Sequence, residues 1–85
     1  MCSIIIHYNV NTGCLCTLNE KGEFTLATTL TGCKVLSGDL LSSNMECYGQ
    51  TTVLNLSSNL TLDIDIKYRT RSEAHAVNLL QKMTQ

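Results

Sequence analysis

The sequence contains no proline, no internal repeat and no low-complexity tract, and it carries few charges. Eighty-five residues of even composition indicate a single domain over residues 1–85, near the lower end of the sizes at which one hydrophobic core suffices. The six basic and seven acidic residues nearly cancel, whereas a nucleic-acid-binding domain is expected to be basic. The charge balance therefore argues against nonspecific electrostatic binding of nucleic acid, and we expect no nucleic-acid partner.

Long apolar runs are also lacking. The longest, such as Ile4-Ile5-Ile6, extend over only three or four residues, far below the roughly eighteen that span a bilayer. The amino terminus has no charged region followed by an apolar stretch, so we expect no secretory signal and no membrane partner. Without a signal, the odd number of cysteines, five, favours a reducing compartment, and we expect a cytoplasmic protein.

The most informative pattern is a change of hydrophobic period in the carboxy-terminal third. Apolar residues first occupy even positions, which predicts strand structure with one buried face. These residues are Leu54, Leu56, Leu60, Leu62, Ile64, Ile66 and Tyr68. Thr70 and Glu73 then form the pairing that caps a helix start, and the helix is predicted to run to about Met83. The pattern leaves open whether residues 50–69 form one bent strand or two, because the even register is the same on both sides of residues 57–59.

The preceding part of the chain also favours β-structure. Strands are predicted at residues 3–8, 14–18, 23–30, 33–36 and 51–56. Residues 19–22 form a hairpin turn, with Gly22 at the position that needs a positive φ. A single helical turn is predicted at 37–41 and a loop at 42–49, where neither hydrophobic period holds.

Together these elements predict an α+β fold, an antiparallel β-sheet meander of about five or six strands with one carboxy-terminal helix packed on one face. The apolar stripe of the helix consists of Ala76, Val77, Leu80 and Met83. We expect this stripe to contact three apolar residues of the preceding strand, namely Leu62, Ile64 and Ile66.

The cysteines raise the question of a metal site. Soft ligands for a tetrahedral zinc are offered by Cys14, Cys16, Cys33 and Cys47, together with His7 or Cys2. Only Cys14 and Cys16 are close in sequence, however, and structural zinc sites usually present two such close pairs. Free cysteines are more often small buried hydrophobes. We therefore expect no metal and no cofactor.

Catalytic motifs are absent as well. A nucleophilic cysteine needs a nearby base, and neither His7 nor His75 lies in a local signature that supplies one. Asp63 and Asp65 share the polar face of a strand, where they are typical solubilising charges and not a tuned acid and base pair. We expect a protein that is not an enzyme, with no catalytic residues.

A different candidate site lies at the strand-to-helix junction. Lys67, Arg69 and Arg71 bring half of the basic residues into five positions, at a helix start whose free amides also favour anions. A phosphate or carboxylate would bind there. The alternative is a solvated basic edge that discourages strand pairing between molecules.

The leading functional expectation is a small non-enzymatic protein-interaction domain that acts through its sheet surface or edge. Compact cofactor-free domains of this size are common among phage and mobile-element accessory proteins, including inhibitors of host systems. The alternative is an oligomeric binder of a small anionic ligand, such as a nucleotide, at Lys67, Arg69 and Arg71.

Self-association is expected from the distribution of apolar residues over the sheet. Ile4, Ile5 and Ile6 are successive, so they point to both faces, and a single helix covers only one face. An uncovered apolar face usually marks a contact surface, which predicts a homodimer. Ile5→Asp is expected either to split the dimer or to unfold the protein, depending on the face that Ile5 occupies.

Overall fold

The computed structural model describes residues 2–30 and 35–83, and within these ranges the chain forms six strands and one helix. The strands are β1 (Ser3–Asn9), β2 (Cys14–Asn19), β3 (Phe24–Thr29), β4 (Leu40–Leu41), β5 (Gly49–Asn55) and β6 (Leu60–Thr70), and the helix is α1 (Glu73–Met83). All strand pairs are antiparallel, which confirms the predicted class of antiparallel sheet with one carboxy-terminal helix. In the described ranges, no helix combines the length and the apolar character that a bilayer crossing requires.

The sheet closes on itself into a barrel with the strand order β1-β2-β3-β6-β5-β4. Strands β1 to β3 form a meander as predicted, but the next neighbour of β3 is β6, so the meander order predicted for the whole sheet is wrong. The two-residue strand β4 pairs with both β1 and β5 and completes the ring. Closure is favoured because it pairs strand edges that an open sheet leaves free, and it gathers the inward faces of the strands around one core.

Two hairpin turns follow from local chemistry. The turn between β2 and β3 has Gly22 at φ 78°, as predicted, and the Asn19 side chain accepts hydrogen bonds from the Lys21 and Glu23 amides at 2.9 and 3.0 Å. Residues 56–59 form the second turn, between β5 and β6, with the last residue of the turn in the left-handed region. Residues 50–69 therefore contain two strands.

The helical turn predicted at 37–41 is instead a tight turn that leads into β4. Gly38 adopts φ 98°, and its amide donates a hydrogen bond to the Ile5 carbonyl at 2.6 Å. The Ile5 amide in turn donates to the Asp39 carbonyl at 2.9 Å. These bonds extend the ladder of β1 and align β4 beside it.

The loop predicted at 42–49 is confirmed as far as Tyr48, and its Met45 side chain is buried in the core. The strand predicted at 33–36 falls partly on residues 31–34, which lie outside the described residues, and the described part of it is in no strand.

The barrel core is built from the inward faces of the strands and from the Met45 loop. Its buried members are Ile5, Leu15, Ala27, Val35, Leu41, Met45, Val53, Leu62, Ile64 and Ile66. The even-position prediction is wrong for β5, where Val53 and Asn55 are the buried residues and Leu56, just after the strand, is exposed. In β6 the two-residue period identified the buried face correctly at Leu62, Ile64 and Ile66. Its apolar residues point into the barrel, however, and the expectation that they contact the helix is wrong.

The helix packs on the outside of the barrel against β2, β3 and β6. Leu15 points inward and Cys16 outward, so β2 contributes to two separate clusters. The outer cluster, here called the helix interface, consists of Cys16, Leu26 and Ala76 with partly buried Phe24, Leu79, Leu80 and Met83. Of the predicted apolar stripe, Val77 alone is outside this cluster, with 47% of its surface exposed.

The cap of helix α1 lies two residues later than the proposed cap, Thr70. Ser72 is the capping residue, because its hydroxyl accepts a hydrogen bond from the His75 amide at 3.3 Å and its carbonyl accepts one from Ala76. Thr70 lies at the end of β6, where its hydroxyl accepts a bond from the Ser72 amide at 3.1 Å. The predicted end of the helix at Met83 agrees with the structure.

The dimer prediction assumed that one apolar face of the sheet is left uncovered, and barrel closure changes this premise. One apolar face of the sheet forms the barrel interior, so it needs no second molecule to cover it. Ile5 is fully buried there, and we expect Ile5→Asp to unfold the protein. The oligomeric state itself stays a prediction.

Candidate functional site

A groove of about 450 Å³ lies between the helix and the outer faces of β1 and β2. A β-bulge creates its barrel side, since Ile5 pairs with Thr17 and His7 with Cys16, which leaves Ile6 as the extra residue. Ile6 and His7 consequently both line the groove, and Cys16 and Phe24 line it as well.

One stripe of helix α1 forms the other wall of the groove. The lining helix residues are Glu73, Ala76, Val77, Leu80 and Gln81, at spacings of three, four, seven and eight from the first. From the helical rise, the stripe is about 12 Å long. Most of the lining is apolar, whereas Glu73 places a carboxylate at the amino end of the helix wall. No cation among the described residues forms an ion pair with this carboxylate.

The groove opens onto a larger apolar surface. We call this the docking surface and define it by Ile4, Ile6, Leu40, Leu56 and Val77, whose exposed fractions lie between 37% and 47%. Ile4 pairs directly with Leu40, and the Leu56 amide donates to the Leu40 carbonyl at 2.7 Å. Ile6 and Val77 both line the groove. The docking surface therefore combines outward residues of β1 and β4 with Leu56 of the β5–β6 turn and Val77 of the helix.

His7 and Cys16 are cross-strand partners on this outer face, a pairing between a thiol and a base that sequence separation does not reveal. Burial raises the pKa of the Cys16 thiol to about 11, so the group is protonated at neutral pH. A catalytic thiolate requires the opposite shift. The Cys16 site accordingly offers a buried apolar contact and no activated nucleophile.

The cysteines do not converge on a metal centre in residues 2–30 and 35–83, where no three metal-ligating side chains gather. Cys14 is buried and donates a hydrogen bond to the Met83 carbonyl at 3.3 Å, Cys47 is exposed, and Cys33 lies outside the described residues. Both described cysteines of β2 therefore serve to pack the helix.

The three predicted anion-binding residues do not point to one site. Lys67 pairs with Asp65 at 2.7 Å, and this contact raises the pKa of Lys67. Arg69 and Arg71 both approach Glu23, at 3.2 and 3.7 Å. A phosphate would have to compete with these carboxylates at each position.

Arg69 has a structural role in the barrel. Its guanidinium donates to the Glu46 carbonyl at 3.1 Å as well as to Glu23, and it thereby ties the 42–48 loop to β6. The pKa of the Glu23 carboxyl lies below its ordinary value because Asn19 donates a hydrogen bond to it and the two arginines are near. Lys21 closes the network through a 2.8 Å contact with Glu46.

Comparison with known proteins finds no matching family model, no matching curated protein and no matching solved structure. The function therefore has to be inferred from the geometry of the site. The sequence did not predict the groove. The bulge at Ile6 and the position of the helix outside the barrel determine which residues line it. The run of three isoleucines at residues 4–6 is the one signal of an outward apolar face.

Proposed function

We propose that this protein is a non-enzymatic interaction domain that binds a protein partner through the docking surface and the adjoining groove. The observation that carries the proposal is the set of half-exposed aliphatic side chains on paired strands and the helix, two of which also line a mostly apolar groove. Contiguous exposed apolar surface next to a pocket is typical of contact sites, where a few side chains inserted into pockets provide most of the binding energy.

The distribution of charge supports the same assignment. All five residues of the docking surface are aliphatic, and the ion pairs among the described residues lie elsewhere, on the β2–β3 turn, the 42–48 loop and β6. Charged residues are depleted at the centres of protein interfaces because their desolvation is costly. We therefore assign the binding role to the apolar surface and not to the ion-paired surface.

Barrel closure favours binding through side chains over binding through strand addition. A partner strand can add only to a free edge, whereas β4 closes the ring of described strands through Ser3 and Ile4 of β1 and Asn55 of β5. The proposed mode is therefore the sheet surface with the helix and not the sheet edge. A partner from a host system targeted by a phage or mobile element stays a prediction of this proposal, based on the small size of the domain.

Neither of the other functions is favoured by the geometry. The protonated Cys16 thiol gives no support to an enzyme, and the carboxylates beside Lys67, Arg69 and Arg71 weigh against a nucleotide site. Binding of a small anion at those residues remains a prediction without a favouring observation.

Site-specific photocrosslinking in the native host tests the proposal. A benzophenone amino acid at Ile6 should produce one discrete adduct, whereas the same amino acid at Lys67, on β6, should not. Leu40→Asp in the Ile6 variant should abolish the adduct without changing the circular dichroism spectrum, since Leu40 is 42% exposed. Equal adducts from both positions, or none from Ile6, would refute the proposed surface.

A further inference from the structure

We propose that the groove binds a short apolar segment of the partner protein that carries a lysine or arginine at one end, and that this basic residue pairs with Glu73. This inference rests on the proposed function and specifies the chemistry of the partner. Its basis is the combination of an apolar cleft with a single unpaired carboxylate at one end of its helix wall.

The surroundings of Glu73 leave its carboxylate available. Arg71, the nearest basic residue in sequence, is directed to Glu23 at 3.7 Å, and the His75 ring lies 3.3 Å from the Thr70 hydroxyl. A cationic group from outside the chain would therefore complete the charge pairing at this end of the groove.

The dimensions of the groove limit the bound segment to a few residues. Its wall of about 12 Å accommodates about four residues of extended chain or about two turns of helix. The apolar lining of the groove includes Phe24, Ala76 and Leu80, which favour aliphatic or aromatic side chains. The expected ligand thus has an apolar residue at the centre and a basic residue one or two positions from it in an extended chain, or three to four positions in a helix.

Charge argues against a second copy of this chain as the occupant. In a two-fold contact the docking surface meets itself, so a concave groove faces a concave groove, and the lining of the opposing groove offers Glu73 no lysine or arginine. Lys82 follows Glu73 by nine residues, about 900° of helical rotation, which places it on the opposite side of α1. A partner of different shape and opposite charge fits better.

The test uses a random twelve-residue peptide library displayed on phage, selected against the wild-type protein and counter-selected against Ile6→Asp. Enriched peptides should contain an apolar residue with Lys or Arg at the expected spacing. Fluorescence polarisation of a synthetic enriched peptide should show at least a tenfold weaker Kd for Ile6→Asp. Glu73→Gln should weaken binding by about two- to fivefold in low salt, the range of an exposed ion pair, and Glu20→Gln on the β2–β3 turn should leave it unchanged.

A second peptide, with the basic residue replaced by glutamine, completes a double-mutant cycle with Glu73→Gln. Compared with the original peptide, it should bind the wild-type protein more weakly but bind Glu73→Gln equally well. Peptides that depend on Ile6 but not on Glu73 would overturn this inference and leave the proposed function intact. Peptides that bind Ile6→Asp unchanged would contradict both proposals. An absence of enriched peptides would overturn the inference. Light scattering that gives twice the 9.4 kDa chain mass for wild type and the single mass for Ile6→Asp would also overturn it, because a second copy of the chain would then occupy the docking surface.

Discussion

Replacing the buried hydroxyl of Thr17 by a methyl group should stabilise the protein. Thr17 is 1% exposed and points into the barrel, between Ile5 and Thr25 on the neighbouring strands. Its Oγ1 finds no hydrogen-bond partner among the described residues. A buried hydroxyl without a partner costs about 1–3 kcal/mol in proteins, and valine has nearly the same shape and a higher preference for strands. We expect Thr17→Val to raise the free energy of unfolding by about 1 kcal/mol.

Urea denaturation followed by circular dichroism measures this change. The midpoint should rise by about 0.5–1 M with an unchanged slope, and the melting temperature by about 4–8 °C for a domain of this size. Thr25→Val is the matched control, because the Thr25 hydroxyl donates a 3.5 Å hydrogen bond to the Met45 carbonyl. That variant should lose about 0.5–1 kcal/mol. A destabilised Thr17→Val protein would refute the reasoning, since it would mean that the hydroxyl is satisfied in the folded state.

Three further predictions concern the turns and the charged network. Gly13→Ala should destabilise more than Gly22→Ala in the same urea assay. Both glycines have φ near 75–78°, which costs about 1–2 kcal/mol for alanine, but only at Gly13 does the new Cβ lie 2.7 Å from a threonine hydroxyl. Arg69→Ala should lower the melting temperature and Arg71→Ala should not, because Arg69 holds the 42–48 loop whereas the Arg71 side chain is 73% exposed; equal effects would contradict this role. Because the pKa of Glu23 is lower in the folded state than its ordinary value of 4.5, ionised Glu23 stabilises the fold above pH 4.5. This contribution is lost as the pH falls through the folded-state pKa. The free energy of unfolding of Glu23→Gln should therefore fall less steeply below pH 4.5 than that of the wild type.

The Arg69 prediction differs from what the sequence pattern alone would suggest. A cluster of basic residues at a strand end is typical of a solvated edge, and on that basis removal of Arg69 and Arg71 together should leave folding intact. The two residues have different contacts in the structure, because Arg69 donates a hydrogen bond to the carbonyl of Glu46, which lies in a loop more than twenty positions earlier in the chain. Such a contact depends on how the 42–48 loop folds back over the barrel, which no local pattern in the sequence reveals.

The parts of the fold that could be predicted from the sequence are those determined by interactions between residues close together in the chain. The two-residue period placed Leu62, Ile64 and Ile66 on a buried face, and the turn at Gly22 and the helix end at Met83 follow from local preferences. The strand order depends instead on pairings between distant segments, above all β3 with β6. The bridging strand β4 has only two residues, too few for any period to appear.

The candidate site was not predictable for a related reason. Its residues come from a strand bulge at Ile6, from the outward face of β2 and from one stripe of a helix almost seventy positions later. An alternating pattern states that successive isoleucines face opposite sides, but it does not state which side a barrel encloses. Once closure assigns Ile5 to the interior, Ile4 and Ile6 have to face outward, and the helix covers only the part of the outer face formed by β2, β3 and β6. The exposed apolar surface is therefore a consequence of the same closure that buries the core, and this is why the proposed docking surface includes the outward residues Ile4 and Ile6 of β1 and Leu40 of β4.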